Sequence, residues 1–255
     1  MTKLETDIYD NQGNVKGKIQ LPGVFSTALR EDILGKAFRA VTLTLRHPYG
    51  SSPEAGMRRV GHNSGANHGI SRLPRVAGSS RGVTLASMVG GRSAHSPRSS
   101  KILFKKINDK ERKIARFTAI AMTADKDAVK RRGHKFDAEI NLPIVIDDSL
   151  TEVKKVKDAI TLFENIGIYE DIIRAKEGKK IRAGRGKMRG RRYKQPRSIL
   201  VVGTSSSDLK VFKSLPGVEI ATPDSLSIRK LAPGGVGGRL VIYTTAAIKK
   251  LGEVA

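Results

Sequence analysis

Residues 49–100 are the feature that most restricts how this chain can fold. The stretch "YGSSPEAGMRRVGHNSGANHGISRLPRVAGSSRGVTLASMVGGRSAHSPRSS" is rich in Gly, Ser and Arg and has no sustained period. Its apolar residues are too sparse to bury a core, and so long an irregular run inside a compact domain is typical of a functional or disordered segment. We therefore expect a long extended internal loop, inserted into one globular body made of residues 1–48 and 101–255. With limbs of about 25 residues, such a loop reaches at most about 80 Å.

The body alternates short apolar runs with helical patterns. Strands are predicted within residues 141–147, 199–202, 218–221 and 240–243, and a helical segment follows each of them. A small hairpin is predicted in the first twenty residues, where "DNQGN" supplies the turn. This alternation predicts an α/β fold with a mostly parallel central sheet flanked by helices.

The first helix is expected over residues 26–45, with Ser26 or Thr27 as its N-cap. Apolar residues recur there at every fourth position, and they are expected to form the buried face: Leu29, Ile33, Ala37, Val41 and Leu45.

The net charge of +24 is concentrated in two places. Residues 47–108 contain ten Lys or Arg and one acid, and residues 178–207 contain ten Lys or Arg and no acid, so the rest of the chain carries only +5. A charge confined in this way indicates two binding surfaces for a polyanion, most often a nucleic acid.

The composition of the loop indicates what part of a nucleic acid it would contact. Its seven arginines favour a bidentate grip on phosphates. Aromatic residues stand only at its ends, Tyr49 and Phe104, which argues against modules that stack bases on rings. We expect contacts with phosphates, sugars and RNA shape.

Nucleotide-binding motifs are incomplete. "ILVVGTSSSD" offers only Gly203 where a dinucleotide fingerprint needs three glycines, so an ordinary strand-to-helix turn is expected there. A phosphate loop ending at Lys187 would need Gly at Ile181 and Ser or Thr at Met188. The glycines of "GGVGGRLVIY" precede a strand, whereas a phosphate loop follows one. We therefore expect no cofactor.

No catalytic or metal site can be assembled either. The chain has no cysteine, and four of its five histidines stand in or beside the loop without accompanying carboxylates. Asp147 and Asp148 are interpreted as the cap region of the following helix. We expect no metal and no enzymatic activity.

No run approaches the ~20 apolar residues of a membrane span, and the first residues lack the pattern of a secretory signal, so a cytoplasmic location without membrane contact is expected.

Several segments resemble one family. "GRGKMRGRRYKQPRSILVV" resembles the G-K-G-K-[ML]-R-[GN]-R-[RK] segment of the archaeal and eukaryotic branch of the L-four family of large-subunit ribosomal proteins. "RHPYGSSPEAGMRR", "GISRLPRVAGSSRGV" and "VGGRSAHSPRSSK" are similar to the beginning, tip with return limb, and end of that family's long loop. The resemblance covers nearly the whole chain.

The resemblance implies a structural constituent of the large ribosomal subunit that supports folding and assembly of its rRNA. The loop would thread into 23S-type rRNA and line part of the polypeptide exit tunnel, with neighbouring ribosomal proteins and the nascent polypeptide as further partners. The residues expected to bind rRNA are Arg58, Arg59, Arg72, Arg75, Arg81, Arg92, His95, Arg98, Arg182, Arg185, Lys187, Arg189, Arg191, Arg192 and Lys194. The resemblance places at the tunnel Arg59, Ser71, Arg72 and Leu73.

Two other functions remain open from the residues alone. An RNA-modifying enzyme with a Rossmann-like domain would need a complete cofactor loop or clustered acids near the basic segments. A DNA-architectural protein would prefer duplex DNA to structured ribosomal RNA in a binding comparison.

Overall fold

The computed structural model describes residues 4–253. The chain divides into two compact units, which are described separately. The larger comprises the residues up to 42 together with those from 106 onward, and the smaller comprises residues 43–105.

The described residues contain eight strands and seven α-helices. The strands are β1 (Glu5–Tyr9), β2 (Val15–Gln20), β3 (Ile144–Ile146), β4 (Lys180–Ile181), β5 (Tyr193–Lys194), β6 (Leu200–Val202), β7 (Glu219–Ala221) and β8 (Val241–Thr244). The helices are α1 (Glu31–Thr44), α2 (Asp109–Ala121), α3 (Lys126–Arg131), α4 (Val156–Ile166), α5 (Tyr169–Glu177), α6 (Ile228–Leu231) and α7 (Thr245–Glu253).

Six strands form the central sheet in the order β2-β1-β3-β8-β6-β7. Only the hairpin of β1 and β2 is antiparallel, and every other neighbouring pair in this sheet runs parallel. The predicted α/β class with a mostly parallel sheet is confirmed. β4 and β5 make a separate two-stranded ribbon.

The sheet is covered on both faces because its central strands are apolar at every position. In β3, Ile144 and Ile146 join one core cluster, whereas Val145 joins the other. Helices α4 and α5 cover the first face, and α1, α2 and α7 contribute to the core on the second. Strands buried on both sides read as continuous apolar runs, which is why the sequence reveals them.

The predicted start of the first helix is wrong, and its predicted buried face is right only at Ala37 and, in part, at Ile33. Residues Gly23–Ser26 form a short 3-10 turn, and α1 begins only at Glu31. Leu29 and Leu45 are exposed, and the buried stripe is Leu34, Ala37 and Ala40. The reason is geometric: a helix turns about 100° per residue, so a strict four-residue repeat drifts about 40° at each step and leaves the core face.

Asp147 caps the short 3-10 turn Asp148–Glu152 that follows it, as interpreted from the sequence, whereas Asp148 accepts from α7 instead of capping that turn or α4. Asp147 Oδ1 accepts the backbone N–H of Asp148 at 2.8 Å, and Asp147 Oδ2 accepts from Lys16 Nζ at 2.6 Å. Asp148 Oδ1 accepts the N–H of Ala246 at 3.0 Å, near the start of α7. Both carboxylates therefore hold helix ends.

Candidate nucleic-acid interface

The second basic segment folds into a small projecting ribbon, which we term the cationic hairpin (residues 178–197). Its strands β4 and β5 pair antiparallel, with Lys180 opposite Lys194 and Ile181 opposite Tyr193. A 3-10 turn at Arg185–Met188 joins them. Like charges directly opposite each other on a ribbon are destabilising. An anion bound near Lys180 and Lys194 would therefore stabilise the ribbon.

Arg182 holds the hairpin together. Its Nε donates to the carbonyl of Arg191 at 3.0 Å, and its terminal nitrogen donates to the carbonyl of Tyr193 at 3.3 Å. Its side chain is half-buried, whereas the other predicted rRNA-binding residues of the hairpin are exposed. Arg182 therefore uses two of its five guanidinium N–H donors inside the protein.

The remaining basic side chains of the hairpin face solvent. No ion pair within residues 4–253 involves Arg185, Lys187, Arg189, Arg191, Arg192 or Lys194. Lys179 Nζ lies 4.7 Å from the ring centre of Tyr193, and the guanidinium of Arg192 lies 5.8 Å from it. These cation–π contacts order the charges without neutralising them.

A buried polar network fixes the base of the hairpin. Asp171, which is fully buried, accepts from Arg174 Nε at 2.8 Å, from Ser198 Oγ at 2.8 Å and from the backbone N–H of Lys135 at 3.1 Å. His134 Nδ1 lies 3.0 Å from the same carboxylate. Arg174 and Ser198 flank the hairpin on its two sides, so one carboxylate holds both ends.

The charge state of this network follows from its partners. Burial by itself would raise the pKa of Asp171, but hydrogen bonds from His134 and Arg174, with the positive charges of Arg174 and of His134 once it is protonated, lower it to about 2. Burial lowers the pKa of His134, so the neutral imidazole donates to the carboxylate.

A second ion cluster ties the hairpin to the edge of the sheet. Glu219 in β7 pairs with Arg197 through one oxygen and with the fully buried Arg239 through the other, the latter at 2.5 Å. Arg239 also donates to the carbonyls of Ser198 and Lys230, at 3.0 Å and 2.7 Å. Burial lowers the pKa of Arg239, and the charge of Glu219 opposes that shift.

The smaller unit is held by its own backbone. The N–H of Ser51 donates to the carbonyl of Pro97 at 3.0 Å across the two limbs, whereas the N–H of Arg92 donates to that of Thr84 at 3.1 Å within the returning limb. Nearer the middle, His62 and Arg75 exchange two hydrogen bonds, at 2.9 Å and 3.0 Å. The outgoing and returning limbs thus run side by side, and residues 63–74 form the turn beyond the last of these rungs.

Glycine allows the two limbs to approach closely. A Cβ at Gly56 would lie 2.5 Å from the backbone nitrogen of Arg92, and Gly56 has a φ of +77°. Within the returning limb, a Cβ at Gly91 would collide with the carbonyl oxygen of Leu85. Among residues 43–105, all of which are described, Val83 is the only buried apolar side chain. Backbone contact therefore replaces a core here.

The loop displays most of its predicted rRNA-binding residues on the surface. These exposed residues are Arg58, Arg59, Arg72, Arg81, Arg92, His95 and Arg98. Arg75 differs, because its guanidinium donates to the carbonyl of Ser80 at 2.5 Å and to Ser71 Oγ at 3.2 Å. Of the residues placed at the tunnel, Arg59, Ser71 and Arg72 are exposed and Leu73 is half-buried. Their binding of rRNA or contact with the tunnel stays a prediction.

The sequence did not reveal the residues that anchor the hairpin. His134, Asp171 and Ser198 are separated by 37 and 27 positions, and no spacing rule links them. Lys176 and Lys213, which lie near the hairpin base, also went unnoticed because only the fold brings their segments together.

The described residues offer neither a metal site nor a membrane-spanning helix. Residues 4–253 contain no group of three or more His, Asp or Glu side chains able to hold a metal ion. None of the described helices is long and apolar enough to cross a membrane.

The fold and its charge define the class of protein. It is a basic α/β protein in which many lysine and arginine side chains of the loop and the hairpin are exposed to solvent. The sequence model of the ribosomal protein L4/L1 family matches residues 19–254. "Large ribosomal subunit protein uL4" of Thermoplasma volcanium is 63% identical over 246 residues, 96% of each chain. The proteins of that name from Thermoplasma acidophilum and Methanocaldococcus jannaschii are 62% and 46% identical, covering 97% and 96% of this chain and 97% of their own lengths.

This chain belongs to the ribosomal protein L4/L1 family. The resemblance drawn from its sequence is confirmed, as are a ribosomal and hence cytoplasmic location and the expectation of a protein without enzymatic activity. The alternative of an RNA-modifying enzyme is set aside by the same finding.

Proposed function

We propose that this chain is a structural constituent of the large ribosomal subunit that binds its 23S-type rRNA through the internal loop and the cationic hairpin. The observation that carries the proposal is the display of exposed basic side chains on both segments, of which Arg197 is the one that forms an ion pair within residues 4–253. The names of its relatives support the assignment to the large subunit.

The mechanism is electrostatic and architectural. Folded RNA repels itself where its strands pack closely, and each arginine or lysine that replaces a condensed counterion favours the compact state. The loop is thin, since its limbs pair through backbone with glycine at the closest approaches, so it suits narrow passages between RNA helices. We assign its turn, residues 63–74, to the exit tunnel with Arg59, where it would face the nascent polypeptide. Neighbouring ribosomal proteins would contact the body.

Salt-dependent binding to in vitro transcribed large-subunit rRNA tests the proposal. The logarithm of affinity should fall by about 0.7–0.9 per contacted phosphate for each logarithmic unit of salt. Replacing Arg185, Lys187, Arg189, Arg191 and Arg192 with Gln should reduce that slope by about 3.5–4.5 if each side chain contacts one phosphate.

A matched control removes the same charge elsewhere, by Gln at Lys110, Lys154, Lys155, Lys157 and Lys249, all of them exposed. We expect its slope to stay near that of the unsubstituted chain. Salt-insensitive binding, or equal loss in both variants, would contradict the proposed function.

A further inference from the structure

A groove of about 1060 Å³ lies beside the base of the cationic hairpin. The C-terminal end of α5, residues 195–197 of the hairpin, the turn before β7, and β7 itself form its walls. This volume is at the upper limit of small-molecule pockets, about 300–1,000 Å³. An extended polymer fits such a groove better than a compact metabolite does.

The groove is strongly positive. Its basic lining residues are Lys176, Lys179, Arg197, Lys213 and Lys230. Glu219 is the one acidic residue among the described lining residues, and Arg197 and Arg239 share its carboxylate. Lys176 and Lys213 are exposed, and neither forms an ion pair within residues 4–253. The lining thus offers free cations to an anionic ligand.

Two kinds of anionic ligand could bind this positive groove. One is an RNA strand, and the other is an acidic peptide that pairs with the edge of the sheet. The backbone of β7 disfavours the peptide. The outward carbonyl of Ile220 already accepts from Lys230 Nζ at 3.0 Å, and the N–H of Thr222 donates to Ser225 Oγ at 3.0 Å. β7 is only three residues long, and two backbone groups on its outward side are already hydrogen-bonded, one of them to a lysine. Short edge strands and edge lysines are typical protections against the addition of another strand.

We propose that this groove is a third RNA-binding surface, which receives the phosphate backbone of the same rRNA that the cationic hairpin binds. The inference rests on the proposed function. The groove and the hairpin share Lys179 and residues 195–197, so a strand that leaves the hairpin continues along Lys176 and Lys213 without crossing an uncharged gap.

Replacing Lys176 and Lys213 with Gln in the full chain tests the groove, with large-subunit rRNA as the probe. Two lost phosphate contacts should lower the salt slope by about 1.4–1.8. The matched control, Lys154→Gln with Lys157→Gln, removes the same charge from exposed positions outside the groove. The control should bind like the unsubstituted chain.

The outcomes separate the two proposals. Absence of RNA binding by the unsubstituted chain would contradict the proposed function. Intact binding with the same slope in groove and control variants would contradict the groove alone.

Cross-linking in assembled large subunits gives an independent test. The chain contains no cysteine, so Lys213→Cys creates a unique attachment point for a thiol-reactive photo-cross-linker, and Lys157→Cys serves as the control. We expect Lys213→Cys to cross-link to rRNA. Cross-links to protein only would overturn the proposal in favour of the acidic partner, and absence of any cross-link would overturn it as well.

Discussion

The internal loop and the cationic hairpin are both strongly positive but are held in shape by different means. In the loop, residues 51–97 are joined by backbone hydrogen bonds and close glycine contacts around one buried side chain, Val83. The hairpin is short, and buried charged groups of the body, Asp171 and Arg239, fix its base. Because its base is fixed, the hairpin can offer its positive side chains to a ligand in a preorganised arrangement. The loop has no core of its own, so its order depends on what surrounds it.

The largest expected difference between the two regions concerns assembly. Gln at Arg185, Lys187, Arg189, Arg191 and Arg192 should lower rRNA affinity by at least about 10³-fold at ~0.1 M salt. The variant should therefore be absent from large subunits in a sedimentation profile.

The matching loop variant replaces residues 63–74 with Asn-Gly. His62 and Arg75 already exchange two backbone hydrogen bonds, which is the geometry that a two-residue hairpin turn closes. We expect this variant to enter large subunits and to change the passage of nascent chains. The same assembly defect in both variants would refute the division of labour.

Removing the carboxylate that holds the hairpin base should give the next largest effect. Asp171→Asn leaves Arg174 and its neighbours without their buried acceptor charge, and breaking such a pair should lower the free energy of unfolding by about 3 kcal/mol. Denaturant unfolding measures this loss. Asp208→Asn, at an exposed position, should change stability by less than about 0.5 kcal/mol. Equal effects would mean that the network does not support the body.

Acid should weaken the same anchor by a smaller amount. The pKa of Asp171 is lowered from 3.8 to about 2, so its contribution is complete above its unfolded pKa and is lost as the pH falls from about 4 towards about 2. That shift corresponds to about 2 kcal/mol. His134, whose pKa burial lowers, adds a loss that begins below its ordinary value of 6.5.

Unfolding free energies measured across this pH range should decline more steeply in the unsubstituted chain than in Asp171→Asn. Parallel curves would show that Asp171 is not the titrating group.

The smallest effect on overall stability is expected in the loop. Gly91→Ala places a Cβ against the carbonyl of Leu85, so the backbone of residues 85–91 in the returning limb must shift. Trypsin should then cleave within residues 58–92 faster than in the Ser93→Ala control, while the free energy of unfolding of the body changes by less than about 0.5 kcal/mol. A matching loss of body stability would show that the loop supports the core.

The sequence revealed the parts of the fold that leave a side-chain pattern. β3, β6 and β8 are apolar on both faces and could be located, and Pro196 marked where the basic run gives way to β6. The rungs of the loop could not be predicted, since backbone-to-backbone bonds such as those between His62 and Arg75 impose no residue type.

The candidate site was predictable to the same extent. Local charge density identified the exposed arginines. It could not distinguish Arg182, whose guanidinium donates hydrogen bonds within the hairpin, from the exposed Arg189. The Asp171 network and the groove depend on segments far apart in the chain. Only the folded sheet brings them together.

The position of β8 in the sheet has a consequence for the order of synthesis. β8 follows every other described strand in the chain, yet it is the central link, pairing with β3 on one side and β6 on the other. Until residues 241–244 are available, the amino-terminal strands and the β6–β7 pair have no hydrogen-bonded connection. Translation proceeds at about 5–20 residues per second, so the loop emerges and waits several seconds before the sheet that supports the hairpin can close. A nascent chain thus acquires its anchored RNA-binding surface only after β8 has been synthesised.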